Sequence, residues 1–163
     1  MRYDSILFDL DGTLWDSTGA VAASWEEALA GVPDIEGPPT RAQLESVMGM
    51  TAEDLMAKLY PHLSKERHME LFDRCCQVEN TYLREHGGVL YPQLEETLEA
   101  LSQKLPLFIV SNCNAEYIPC FLDAHQLHRY FQDWECIGRT GKQKWENIRL
   151  VVEREEEIRA FQP

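Results

Sequence analysis

Asp9 and Asp11, one residue apart in Phe8-Asp9-Leu10-Asp11-Gly12-Thr13-Leu14, follow directly on the apolar run Ile6-Leu7-Phe8. A carboxylate can attack phosphorus and carry the phosphoryl group as an acyl phosphate. A second acid nearby can protonate the leaving oxygen and later activate water against that intermediate. In an extended segment residues i and i+2 point to the same side, so Asp9 and Asp11 can face one substrate together. Two anions this close repel each other and a phosphate, and a divalent cation removes the conflict. Mg²⁺ is the expected cofactor. Gly12 lets the chain turn sharply toward the ligand, and Thr13 supplies a hydroxyl donor.

The elements that must position these residues follow from periodicity. Residues 5–8 read as a buried strand closed by the turn-favouring Asp-Leu-Asp-Gly. Residues 16–86 are helical in period. Val21, Trp25, Ala28 and Leu29 form one stripe, Thr40 can cap 41–47, Thr51 with Asp54 resembles a capping box, and Ser64 can cap the long segment 65–86 that exits at Gly87-Gly88. Beyond it a helix is expected from Pro92 to Lys104 with Leu94, Leu98 and Leu101 on its apolar stripe. Residues 105–110 are the near-continuous apolar run of a strand covered on both faces. Asn114 caps a helix to about 124 that Pro119 bends or shortens. Residues 134–137 are a third strand and 144–161 a final helix.

Strands alternating with helices predict an α/β fold, a doubly wound parallel sheet with an inserted α-helical block. The expected division is a core segment 1–15 with the first strand and nucleophile loop, a helical cap 16–88, and the rest of the core 89–163. The crossings at 14–17 and 87–91 are the expected hinges. In such a sheet the ligand lies beyond the carboxyl ends of the strands, where Asp9 stands.

Among 163 residues, 28 Asp and Glu against 15 Lys and Arg leave a formal charge of -13, which disfavours nucleic acid as a partner. No apolar stretch approaches the ~20 residues that span a bilayer, and residues 1–15 lack a signal peptide's apolar region. Cys75, Cys76, Cys113, Cys120 and Cys136 form no CxxC pair. A cytoplasmic protein with free thiols and no membrane partner is therefore expected. Cys113 reads as a small, partly buried residue, His125 and His128 as surface residues, and Trp15, Trp25 and Tyr60 as packing.

The stretch Ile6 through Ser17 resembles the first motif of the haloacid dehalogenase-like phosphohydrolases, an apolar strand followed by DxDGTLxDS. Ile109-Val110-Ser111-Asn112 is similar to the second motif, which implies that the Ser111 hydroxyl and neighbouring amides such as that of Asn112 hold the phosphoryl oxygens. Thr140-Gly141-Lys142-Gln143-Lys144 resembles the third, whose lysine bridges nucleophile and phosphoryl group; Lys144, opening the last helix, aligns better than Lys142. The helical insertion resembles the cap of the phosphoglycolate-phosphatase-like subfamily, with Leu90-Tyr91-Pro92 as the return and Gln93 where glycine is common.

The resemblance implies a Mg²⁺-dependent phosphomonoester hydrolase acting on a small phosphorylated metabolite, with the metal held by the Asp9 carboxylate and the main-chain carbonyl of Asp11. Asp9 is the nucleophile, Asp11 the acid and then the base, Lys144 a catalytic and phosphate-binding cation, and Thr13, Ser111 and Asn112 further phosphate donors. A phosphomutase, or a degenerate binding protein, is the alternative. The latter arises because the family's fourth motif, an acidic pair after another buried strand, has no match: no Gly-Asp occurs, and the core reads as incomplete at its C-terminal side. Glu153 and Glu157, four apart on the last helix, are the weak substitute for its metal ligands. Without the strand before that motif, residues 5–8 are expected to form an exposed edge through which the protein can self-associate.

Overall fold

The computed structural model describes residues 3–161. In chain order the elements are β1 (Ile6–Phe8), β2 (Trp15–Asp16), α1 (Thr18–Leu29), α2 (Arg41–Glu45), α3 (Ala52–Leu59), α4 (Lys65–His86), β3 (Val89–Leu90), α5 (Leu94–Ser102), β4 (Leu107–Ser111), α6 (Tyr117–His125), β5 (Asp133–Cys136), α7 (Ile137–Thr140) and α8 (Lys144–Phe161). A 3₁₀ turn, His128–Tyr130, precedes β5.

Every residue of β4 is buried, because it is the middle strand of a parallel sheet ordered β1-β4-β5. Ile6, Leu7 and Phe8 stand opposite Leu107, Phe108 and Ile109, and Ser111 stands opposite Cys136. On one face Leu7, Phe108 and Val110 pack with Val151 of α8. On the other, Leu107 and Ile109 join Leu10, Leu14, Leu98, Ile118 and Phe121, which brings α5 and α6 against the sheet. Apolar side chains on both faces of one strand are what a doubly wound sheet requires. The residues of β1 are only partly buried, and among the described residues no strand lies along its outer edge.

The helical block sits between β1 and β3. Thr40, Thr51 and Ser64 each accept a hydrogen bond from the backbone N–H three residues on, which starts α2, α3 and α4 where those side chains occur. Gly87, at φ 68°, ends α4. Its chain crossings are joined as an antiparallel ribbon in which Trp15 faces Leu90 and Asp16 faces Val89.

Three local differences from the sequence reading have physical causes. α6 begins at Tyr117 rather than beside Asn114, whose Oδ1 accepts the Glu116 N–H instead. Pro119 thus falls in the first turn, where its missing N–H costs nothing. α5 begins at Leu94, behind Gln93 held at φ 61°, a left-handed conformation that explains why glycine suits this position. His125 is half-buried rather than a fully exposed surface residue. Its ring meets Trp15 edge-on, its Nε2 accepts the Gly88 N–H at 3.3 Å, and burial lowers its pKa. His128 is exposed and pairs with Asp123.

Candidate active site

Asp9 stands at the carboxyl end of β1. Its Oδ1 accepts the Leu10 N–H at 2.9 Å and lies 2.8 Å from Lys144 Nζ. Lys144 reaches it as the first residue of α8. The preceding loop is fixed from within: Thr140 Oγ1 donates to Asn147 Oδ1 at 2.7 Å, the fully buried Asn147 donates back to the Lys142 carbonyl, and Gln143 N–H donates to Glu146. Lys142 is left exposed, and Lys144 is the lysine that pairs with Asp9.

Asp11 is held differently. Its Oδ1 accepts from the Trp15 indole N–H, the Ser17 hydroxyl and the Tyr117 hydroxyl, each at 2.9 Å. Tyr117 OH and Ser17 Oγ are also 2.8 Å apart. Burial raises the Asp11 pKa above the usual aspartate value, and the neighbouring Asp9 adds to the rise; the three hydrogen bonds act in the opposite direction. With Oδ1 occupied by donors, a proton on this carboxyl belongs on Oδ2. Tyr117 carries no motif signal, and Trp15, read from sequence as packing, also orients the acid.

Ser111 is buried at the carboxyl end of β4, two residues beyond Ile109, which stands opposite Phe8 of β1. Thr13 is exposed in the loop after Asp11, and its N–H is held by the Leu10 carbonyl. The Asn112 side chain donates to the Gly49 carbonyl at 3.0 Å, tying the end of β4 to the α2–α3 segment. Its amide side chain is thus engaged.

Between the sheet and the helical block lies a cavity of about 60 Å³. Asp11, Ser111, Asn112 and Tyr117 form one wall; Trp25, Phe72 and Glu79 contribute to the other. Cys113 lines it too, and burial raises its thiol pKa. Glu79 escaped the sequence reading because it falls within a run of polar residues on α4. It is 5% exposed, accepts the Trp25 indole N–H, and has its pKa pushed up to about 8 by burial. Trp25 therefore has a polar partner at the cavity as well as a packing role. Tyr60 is buried in packing, with its hydroxyl on the Gly37 carbonyl.

Among the described residues no group of three or more His, Cys, Asp or Glu is placed to hold a metal. Glu153 and Glu157 do not join Asp9: at 1.5 Å per residue they lie roughly 14 and 20 Å along α8 from Lys144.

A family profile described as haloacid dehalogenase-like hydrolase matches residues 6–157. Proteins named phosphoglycolate phosphatase from Vibrio vulnificus (strain YJ016) and Photobacterium profundum are 35% and 33% identical over 141 and 139 residues, 78% of this chain in each case. The chain spans 58% of the length of these curated relatives. A hydrolase of the haloacid dehalogenase-like family from Streptococcus pneumoniae superposes with a TM-score of 0.76 at 23% identity, covering 94% of this chain and 70% of that one, which establishes a shared fold.

Proposed function

The chain belongs to the haloacid dehalogenase-like hydrolase family, and on that premise we propose that it is a phosphomonoester hydrolase working through an aspartyl phosphate on Asp9. The supporting observation is the contrast between two neighbouring carboxyls: the partly exposed Asp9 pairs with the Lys144 ammonium, while Asp11 has one oxygen fixed by three donors.

In this reading an Asp9 oxygen attacks phosphorus, and the bond from phosphorus to the substrate's ester oxygen breaks. Asp11 delivers its proton to the departing oxygen, its raised pKa favouring the protonated form needed for that step. Asp11, now ionised, takes a proton from the water that attacks the acyl phosphate, releasing inorganic phosphate and regenerating Asp9. Lys144 offsets charge on the transferring group, and the Ser111 hydroxyl and the main-chain N–H of Asn112 donate to its oxygens. Thr13 steadies the loop. The helices between β1 and β3 act as the cap, its two crossings tied by the β2–β3 ribbon.

The donors present suit Mg²⁺, which binds through one or two carboxylates, substrate phosphate and water rather than an all-protein cage. The Asp9 carboxylate and the Asp11 main-chain carbonyl would hold it. When bound, it would neutralise charge between Asp9 and the phosphate.

The relatives' name points to a two-carbon leaving group. The cavity, at about 60 Å³, holds roughly four to six water-sized groups, which is that size. The test is phosphate release from p-nitrophenyl phosphate and small phosphomonoesters, with and without Mg²⁺, by the chain and by Asp9→Asn. Hydrolysis abolished by Asp9→Asn is expected; equal rates in both would sink the assignment.

A further inference from the structure

Glu79 is buried at considerable cost and has no part in the reaction as described. It lies within α4 facing the cavity, 5% exposed. Its Oε2 accepts the Trp25 indole N–H at 2.5 Å; its Oε1 has no hydrogen-bond partner among the described residues. A glutamine would accept the same indole proton without a titrating group, so the bond to Trp25 does not account for an acid here. Among the described residues the cavity walls contain Asp11 and Glu79 but no lysine, arginine or histidine. Trp25 and Phe72, packed edge to face with centroids 6.3 Å apart, also line it. Lys144, the cation of the phosphoryl site, is not part of these walls.

A leaving group that enters this space past Asp11 therefore meets aromatic rings and a carboxyl with one unengaged oxygen. A carboxylate entering it, such as that of a hydroxy acid, would meet two acids and no counter-charge, which is strongly unfavourable at low dielectric. An ammonium group would meet an acid able to ionise beside it and ring faces that attract cations.

We infer that the cavity selects phosphomonoesters of a small amino alcohol, two or three carbons long, with Glu79 as the counter-ion of the ammonium group. This rests on the hydrolase reading above and deepens it. It separates the chain from the relatives' named substrate by charge while keeping its size. Four non-hydrogen atoms, those of ethanolamine, fit the roughly four to six groups the cavity holds.

The experiment is calorimetric titration of the Asp9→Asn chain, which removes turnover, with O-phosphoethanolamine, 2-phosphoglycolate and ethyl phosphate. Each is repeated with Glu79→Gln added. The expected result is tighter binding of O-phosphoethanolamine than of 2-phosphoglycolate by about tenfold or more. Glu79→Gln should bring that ratio below about threefold while ethyl phosphate binding stays within about twofold, which also shows that the cavity remains folded. Equal or tighter binding of 2-phosphoglycolate, or a ratio unmoved by Glu79→Gln, overturns the inference. Failure to bind any of the three esters overturns both the inference and the hydrolase reading. The predicted ratio together with an unmutated chain that hydrolyses none of them supports the inference and overturns the hydrolase reading alone.

Discussion

Lys144 Nζ and Asp9 Oδ1 lie 2.8 Å apart although they come from opposite ends of the chain. Both side chains are more than a third exposed, so water screens the pair and its share in stability is small, about 0–1 kcal/mol. In the proposed reaction its value is the positive charge it places beside the transferring phosphoryl group. Lys144→Met is expected to lower kcat by about 100-fold or more while the melting temperature shifts by no more than a few degrees. Steady-state hydrolysis of p-nitrophenyl phosphate and a thermal melt check the two halves. An unfolded variant, or one of normal rate, contradicts the role assigned to Lys144.

Tyr117 and Asp11 allow a test by leaving group. p-Nitrophenolate departs with little help from an acid, whereas an alkoxide needs its proton. Tyr117→Phe removes one donor from Asp11 Oδ1 and loosens the carboxyl. The kcat for an alkyl phosphate is expected to fall about tenfold further than that for p-nitrophenyl phosphate. Equal losses on both substrates would reduce Tyr117 to a packing residue.

Glu79 makes stability depend on pH with a definite sign. Burial raises its pKa from 4.5 to about 8 in the folded chain, so the fold favours the neutral acid. Its contribution is fully present below about pH 4.5 and is lost as pH rises through 8. The ceiling is of the order of 5 kcal/mol, which relaxation and water entry reduce. Glu79→Gln should therefore be the less pH-sensitive chain between pH 5 and 9, and should gain on the parent as the solution becomes alkaline. Urea unfolding of both across that range measures the difference. Parallel curves would mean that Glu79 ionises normally.

Gly88 is required for space. A Cβ there would lie 2.7 Å from Trp15 Cε3 and 3.0 Å from the Asp16 carbonyl oxygen. Gly88→Ala must push Trp15 away, at a cost of about 1–3 kcal/mol. Because the Trp15 indole N–H also holds Asp11, turnover should fall along with stability. Urea unfolding and steady-state hydrolysis on one preparation check this. A variant with parental stability would show that the ribbon tolerates the methyl group.

What could be read from sequence was what local chemistry decides. Thr40, Thr51 and Ser64 start their helices through bonds three residues long, and the apolar run that became β4 announces its own burial. Lys144 was recognisable because it opens α8. The features that escaped depend on distant partners. Glu79 looks like one more solvent-facing acid until Trp25 is placed against it, and Tyr117 has no periodic signal for a bond to Asp11. The β2–β3 ribbon is two residues long on each side, too short for alternation to show.

The triangle of Asp11 Oδ1, Ser17 Oγ and Tyr117 OH has three edges of 2.8–2.9 Å but only two hydroxyl hydrogens to fill them. While Asp11 is ionised both hydroxyls turn to the anion, and the Tyr117–Ser17 edge is left with facing lone pairs. Once Asp11 carries a proton on Oδ2, its Oδ1 becomes the weaker acceptor and the Tyr117 hydrogen swings to Ser17. The vacant edge thus migrates with the charge on the acid. In the proposed reaction Tyr117 would then be a rotor that answers each protonation state of Asp11 by turning a single O–H bond, with every heavy atom at rest.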